Sequence, residues 1–590
     1  MPPITSNVKD KPKDTKGALK RILAYLGSYK LLIALILLLC LTSNVLALLG
    51  PNMAGEAINE ATRGKGLVNF ERVTHYALLM LIVYISSSLL TIAINILMTT
   101  VSRYVSRKMR NDVFDKLTRL PVGYFDRNAT GDIISRVSYD IDVVTTCIAT
   151  DLVAIMTSLV TVTGSFIMMV IIAPSLALVE ILLIPASILY TIHMRKVTQP
   201  LFRRRSAAYG SMNGFVEEMF TGQKTILGYS YENDVADQFV VKNGEAGSGF
   251  YDSEYESCAL GPTVNAFNNI GLGLVGMCGS ILYMLGKISL GSVSSFVLYS
   301  RKFSGPINEI ANIVSEIYSA LSASERVFKL LDEPEEVQDI ENADELTDVK
   351  GIVDFNAVKF GYVPERTIIH NLSLHVNGGN LIAIVGPTGA GKTTIINLLM
   401  RFYDVDGGFI AVDEKDIRKY TRKSLRGAYA MVLQDTWVFE GTIFENIAYG
   451  KENATIEEVI AAAKAAHIHS FVMQLPKGYD TVISEDGGNI SKGQKQLLTI
   501  ARAMLYDSKM LILDEATSNV DTGTERKVQE AMRNLMKDKT CFVIAHRLST
   551  IQNADTILVL RDGDVVEAGN HESLMNSKGF YYSLYKAQFE

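Results

Sequence analysis

One segment of the sequence has the residue types and spacing that polyphosphate chemistry needs: Gly386, Pro387, Thr388, Gly389, Ala390, Gly391, Lys392 and Thr393. It fits G-x-x-x-x-G-K-[ST], a phosphate-binding loop. The glycines let backbone N–H groups curl around phosphate oxygens, and the N-terminus of the following helix adds partial positive charge. Lys392 would reach the β- and γ-phosphates, the Thr393 hydroxyl would bind Mg2+, and Thr394 opens the helical stretch that follows. Apolar residues 381–385 precede the loop as a buried strand would, and residues 394–403 follow it with helical spacing. A glycine-rich turn with an incidental lysine requires neither the full match nor that strand–loop–helix setting. The chain is expected to bind a nucleotide.

Further residues suit the same chemistry. The apolar run 510–513 ends in two carboxylates, Asp514 and Glu515, an ending that strand burial does not require. Asp514 suits Mg2+, directly or through water, and Glu515 suits polarisation of a water attacking the γ-phosphate. His546 follows another apolar strand, 540–545, where it can hydrogen-bond the γ-phosphate, although a lone histidine is more often structural. Tyr362 ends an alternating, strand-like segment shortly before the loop. It either stacks on adenine or is a strand-end aromatic that packs. His467 and His469 lie in an alanine-rich helical run without further ligands nearby and read as surface or packing residues.

These residues all lie in the more polar C-terminal part of the chain. The whole chain has 590 residues, 48% hydrophobic and 20% charged, with a mean hydropathy of +0.18. That is too apolar for a purely soluble enzyme and points to a membrane part. A net charge of −6 and a pI near 5.9 give no case for a nucleic-acid partner. Cys40, Cys147, Cys258, Cys278 and Cys541 are scattered without paired spacing, which argues against a disulfide framework or a cysteine metal site. Residues 1–20 are polar and lysine-rich and lack the pattern of a cleaved signal peptide.

Six apolar stretches precede the nucleotide-binding part, at about 31–49, 77–98, 152–173, 176–192, 259–285 and 293–323. A membrane span needs about 20 apolar residues. The fifth stretch is glycine-rich and carries Asn265, Asn268 and Asn269, and the sixth is amphipathic and holds Arg301 and Lys302. Both read as helices with one face on a polar cavity. The connections alternate short and long, and the long ones hold the basic residues, Arg103, Arg110 and Arg127 in one and Arg195, Arg204 and Lys242 in the other. Positive charge marks the cytoplasmic side, so the N-terminus and the nucleotide part are expected in the cytoplasm and the spans in the cytoplasmic membrane.

At the tip of each long connection, 121–126 and 220–225, the helical pattern breaks. Each tip is either an ordinary turn or a short helix docking on the nucleotide domain. Tyr124 and Phe125 would form an exposed apolar patch if left in solvent, which favours docking. Glu180, within the fourth stretch, is either part of a transport pathway or a carboxylate meeting water near the outer interface. Arg301 either lines a cavity or snorkels, and Asn265 and Asn269 are pathway candidates.

Taken together and in order, these motifs resemble an ABC transporter half-subunit of the exporter type, over nearly the whole chain. The resemblance implies an α-helical membrane domain of six long transmembrane helices followed by an α/β P-loop nucleotide-binding domain. Residues 1–333 would form the first, 334–349 an acidic linker and 350–590 the second. Tyr362 matches the family's adenine-stacking aromatic. Gln434, within Val432-Leu-Gln-Asp-Thr-Trp437, matches the glutamine that reaches Mg2+ and the catalytic centre. His546 matches the switch histidine, Ser518-Asn-Val-Asp521 the D-loop, and the two tips the coupling helices. No peptidase-like extension precedes the first span, which disfavours the peptide-processing branch.

The family mechanism implies two nucleotide domains closing head to tail over two ATP molecules, each site completed by the other domain's signature segment. Here that segment reads Ile490-Ser-Lys-Gly-Gln494. Ser491, Gly493 and Gln494 remain as nucleotide contacts, but Lys492 replaces a glycine, and its Cβ is expected to restrict the backbone's approach to phosphate. That departure resembles one member of a heterodimeric multidrug exporter, so the expected partner is a second, different half-transporter. The expected activity is ATP-driven efflux of amphipathic drugs or lipids. A homodimeric lipid flippase shares the ATPase chemistry, and an ATP-gated channel or sensor would lack uphill flux.

Overall fold

The computed structural model describes residues 14–64, 66–434, 436–484, 489–514, 522–545 and 548–589. It divides into a helical unit, Met1–Leu120 with Asn128–Pro334, and a nucleotide unit, Pro121–Arg127 with Glu335–Glu590.

The helical unit holds α1 (Thr15–Gly27), α2 (Lys30–Ala61), α3 (Phe70–Leu117), α5 (Thr130–Ser135), α6 (Ile141–Ile172), α7 (Pro174–Thr221), α8 (Gln223–Gly228), α9 (Glu232–Cys258), α10 (Leu260–Met284) and α11 (Leu290–Asp332). The helix α4 (Val122–Arg127) belongs to the nucleotide unit. Local chemistry sets several of these ends. The Asn69 side chain accepts from the Arg72 N–H ahead of α3. Pro174 opens α7, where a missing N–H costs nothing. The Ser289 hydroxyl accepts from Ser292 N at the start of α11.

Among the described residues, five helical stretches are long and apolar enough to cross a membrane: α2, α3, Thr130–Ile172, α7 and Glu232–Met284. The expected sixth span, 293–323, lies in the 43-residue α11, which falls short on composition because its serines and the Arg301–Lys302 pair dilute it. The core of this unit is built from Met169 of α6, Leu176 of α7, Val275 of α10, and Phe296 and Tyr299 of α11, all fully buried. Glu180 is buried too, 4% exposed, and its Oε1 accepts from the Ser300 hydroxyl of α11. This corrects the reading that set it in water near an interface: helix packing encloses it. Asn265, Asn269 and Arg301 are exposed.

The strands of the nucleotide unit are β1 (Val353–Phe360), β2 (Ile369–Val376), β3 (Leu381–Val385), β4 (Gly407–Val412), β5 (Lys415–Asp416), β6 (Tyr429–Val432), β7 (Gly441–Thr442), β8 (Val482–Ile483), β9 (Met510–Asp514), β10 (Thr540–Ile544), β11 (Thr556–Arg561) and β12 (Asp564–Gly569). They form an antiparallel sheet in the order β2-β1-β4-β5, a six-stranded sheet β12-β11-β3-β10-β9-β6 and a ribbon β7-β8. In the larger sheet β6, β9, β10, β3 and β11 run parallel. Their continuous apolar runs follow from burial on both faces.

The acidic segment expected as a linker is fastened down. Asp339 accepts from both the backbone N–H and the guanidinium of Arg422, at 3.0 and 2.9 Å. Glu336 accepts from Arg426 at 2.5 Å. Arg422 is nearly buried, so its charge needs these partners.

Candidate nucleotide site

The end of β3 delivers the loop 386–391. Gly389 and Gly391 have φ of +84° and +100°, which side chains with a Cβ rarely adopt. Gly391 also lies so close to Ile369 that a Cβ would crowd it. The helix α12 (Lys392–Leu399) starts there, two residues earlier than its apolar spacing suggests and four shorter at its end. Lys392 therefore sits in the first turn, and its ammonium donates back across the loop to the Gly386 and Pro387 carbonyls at 2.8 and 2.9 Å. Burial pushes this ammonium below the ordinary lysine value, while the negative charge of Asp514 opposes the shift.

Asp514 arrives from β9. Ile544 of β10 pairs with both Asp514 of β9 and Ile384 of β3, so a single strand separates the carboxylate from the loop's strand. On the far side of β9, β6 pairs through Val432 with Leu513, and two residues later Gln434 is exposed. Lys392, Asp514 and Gln434 thus share the carboxyl edge of one parallel sheet, where open α/β sheets bind ligands. Thr393 is exposed beside Lys392. Thr394, also expected at the nucleotide, is buried, and its hydroxyl accepts from Tyr362 at 3.2 Å. Glu515, Asp521 and His546 lie outside the described residues.

The Tyr362 hydroxyl also accepts from Asn397 at 3.0 Å. Its ring stands edge-on to Phe360 and Tyr403, with centroids 5.1 and 5.0 Å away. This steadies the ring beside α12 while leaving it 42% exposed. Tyr403 was not singled out by sequence. It is half of an aromatic pair directly after α12, a placement that amphipathic packing does not require. Its hydroxyl donates to Asp126 at 2.5 Å, Gly123 packs on its ring, and Tyr124 beside them is buried. Burial and the neighbouring Asp126 charge raise the Tyr403 phenol above its ordinary value. Phe125 is exposed. The second tip reaches no comparable burial: α8 has no buried residue, and Phe220, Leu227 and Tyr229 are exposed.

The signature segment opens a separate helix, Lys492–Tyr506. The Ser491 hydroxyl accepts from Gln494 N at 3.3 Å, and the Gln494 side-chain Oε1 accepts from Ser491 N at 2.8 Å, a reciprocal cap. Lys492 is the first helical residue, is exposed and has no positive φ. Within this chain the lysine sits in ordinary helical geometry and its side chain is exposed. Gly493 is buried.

A family model described as ABC transporter transmembrane region matches residues 32–307, and one described as ABC transporter matches residues 369–518. An uncharacterized ABC transporter ATP-binding protein of Bacillus subtilis, YfiC, is 42% identical over 98% of this chain and 96% of its own length. The chain belongs to the ABC transporters. Within that family it is an exporter half-transporter, a multi-pass membrane protein whose ATPase domain drives transport. A solved bacterial Atm1-family ABC exporter with ATP bound is similar to it at a TM-score of 0.75 and 29% identity, over 98% of this chain and 99% of that one. A fatty acid ABC transporter ATP-binding/permease protein of Mycobacterium bovis is 42% identical over 89% of this transporter and 83% of its own length. An ATP-dependent lipid A-core flippase of Desulfotalea psychrophila is 34% identical over 87% and 89%.

Proposed function

We propose that this transporter drives efflux of amphipathic small molecules, drugs or lipids, across the cytoplasmic membrane, with the nucleotide unit in the cytoplasm and a different half-transporter as its partner. One observation carries the reading. Lys392, Asp514 and Gln434 share one sheet edge, whereas Ser491 and Lys492 stand exposed at the start of another helix. A capped, exposed signature serine serves a nucleotide held by a second chain. In that arrangement Glu515 activates water, His546 and Gln434 sense the γ-phosphate, and Asp521 faces the partner's site. Thr393, Asp514 and Gln434 offer a small set of oxygen donors, which suits Mg2+ held mainly by phosphate. Among the described residues no cluster of three His, Cys, Asp or Glu side chains forms an all-protein metal cage.

The heterodimer reading rests on Lys492, which would bring a charged side chain to the partner's nucleotide. The cargo reading is supported by relatives named for a fatty acid and for lipid A-core, both amphiphiles with acyl chains. The exposed second tip, with Phe220 and Tyr229, would be covered by the partner. The test is Glu515→Gln in the chain co-purified with its natural partner. ATP turnover should fall at least a hundredfold, about 2.7 kcal/mol of barrier, while ATP binding persists. Full turnover in that variant would overturn the site assignment, and a single polypeptide in the active assembly would overturn the heterodimer.

A further inference from the structure

Pro51 stands inside α2. Proline has no N–H to give to the carbonyl four residues back, so the Ala47 oxygen loses its helical donor. In an apolar environment such an oxygen must find another partner. Lys302 of α11 supplies it: its ammonium donates to the Ala47 oxygen at 2.6 Å. One residue further along α2, the Tyr299 hydroxyl donates to the Leu48 oxygen at 2.5 Å. The next carbonyl of α2 is thus bonded from α11 as well. The Ser295 hydroxyl donates to the Pro51 oxygen at 2.8 Å. Below it the Gly291 N–H donates to Asn59 at 2.8 Å, where Gly55 and Gly291 touch so closely that a Cβ on either would overlap the other helix.

Residues 291, 295, 299 and 302 form one stripe of α11 at helical spacing. Each meets a backbone group or side chain of α2 at or near the broken turn. The two adjacent cations have opposite fates: Arg301 is exposed, while Lys302 turns inward, with the Tyr84 ring 5.7 Å from its nitrogen. An ammonium among apolar helices is expensive unless partnered, and the carbonyl freed by Pro51 is the partner it meets.

We propose that Lys302 is a positioning residue that replaces the hydrogen bond Pro51 removes from α2 and, with Tyr299 bonding the next carbonyl, so fastens α2 to α11. An intact helix keeps its own ladder and can slide along a neighbour. A turn whose carbonyls are bonded by the neighbour cannot. Because α11 runs on to Asp332, just before the nucleotide unit begins at Glu335, a shift of α11 during the ATP cycle carries α2 with it. The inference rests on ATP-driven transport, not on the cargo or the partner's identity.

The test is a double-mutant cycle on the full chain in its native assembly in nanodiscs: Lys302→Met, Pro51→Ala and both. An alanine at position 51 restores an N–H for Ala47, so the need for Lys302 vanishes. Lys302→Met should lower ATP turnover about tenfold, with ATP affinity within about twofold of the parent, and the double variant should return to within about twofold of Pro51→Ala alone. Parental turnover in Lys302→Met would overturn the proposal. So would an equal loss in both backgrounds, and a loss confined to oleate-stimulated turnover in both would assign Lys302 to an anionic cargo instead. If Lys302→Met fails to assemble, rescue of assembly by Pro51→Ala supports the proposal and absence of rescue overturns it.

Discussion

Replacing Tyr403 with phenylalanine removes one oxygen and keeps the ring. The ring contacts to Tyr362 and Phe360 persist, so the nucleotide-facing aromatic keeps its support. What disappears is the hydrogen bond to Asp126. Hydrogen bonds to a charged group contribute about 1.5–3 kcal/mol. Asp126 is exposed, which places this one near about 1.5 kcal/mol, roughly tenfold in the equilibrium that holds residues 121–127 against the nucleotide unit. Amide hydrogen exchange reads that equilibrium directly. The amides of α4, including Tyr124, whose N–H donates to the Pro121 oxygen at 2.9 Å, should exchange about tenfold faster in Tyr403→Phe. ATP affinity should be unchanged, because Tyr362 keeps its bond to Thr394. Asp126→Ala should produce the same acceleration, and the double variant should add little to either. Unchanged exchange in Tyr403→Phe, or effects of the two substitutions that add to within about 0.5 kcal/mol, would refute the reasoning.

Three further outcomes follow from the same geometry. Burial depresses the Lys392 ammonium and bound phosphates would raise it, so ATP binding takes up a proton in the alkaline window between the two values; affinity should fall as pH rises through that window, and calorimetry in buffers of different ionisation enthalpy should detect the uptake. Arg422→Met removes the guanidinium's bonds to Asp339, Asp404 and the Val337 oxygen and leaves the two carboxylates with Arg401 as their remaining ion-pair partner; at about 3 kcal/mol the thermal transition of the nucleotide unit should drop by roughly 5–10 °C, and a smaller shift than about 2 °C would show the acidic segment to be loosely held. Lys492→Gly should change that transition by no more than about 1 kcal/mol, because the lysine is exposed and in helical geometry; a large loss would mean that the side chain packs.

How far the sequence carries depends on whether function sits in a contiguous motif or in a meeting of distant segments. The loop 386–393 dictates its own conformation: two of its glycines take left-handed φ, the following helix begins at Lys392, and the preceding apolar run is a buried parallel strand. Spacing alone exposes the strand, the loop and the helix, though not the helix's start at Lys392. Tyr403 is different. Nothing local marks it, because its role is defined by Asp126 and Gly123, nearly three hundred residues away in the chain. The acidic segment after Pro334 misleads for the same reason: charge density reads as solvated linker until Arg401, Arg422 and Arg426 are seen to converge on it. Lys492 is legible only in part: the first residue of a helix accepts any side chain, and the local backbone shows that the lysine costs this chain's fold nothing. In the proposed arrangement, what Lys492 does happens beyond this chain's own surface, at the phosphates of a nucleotide that another chain would hold.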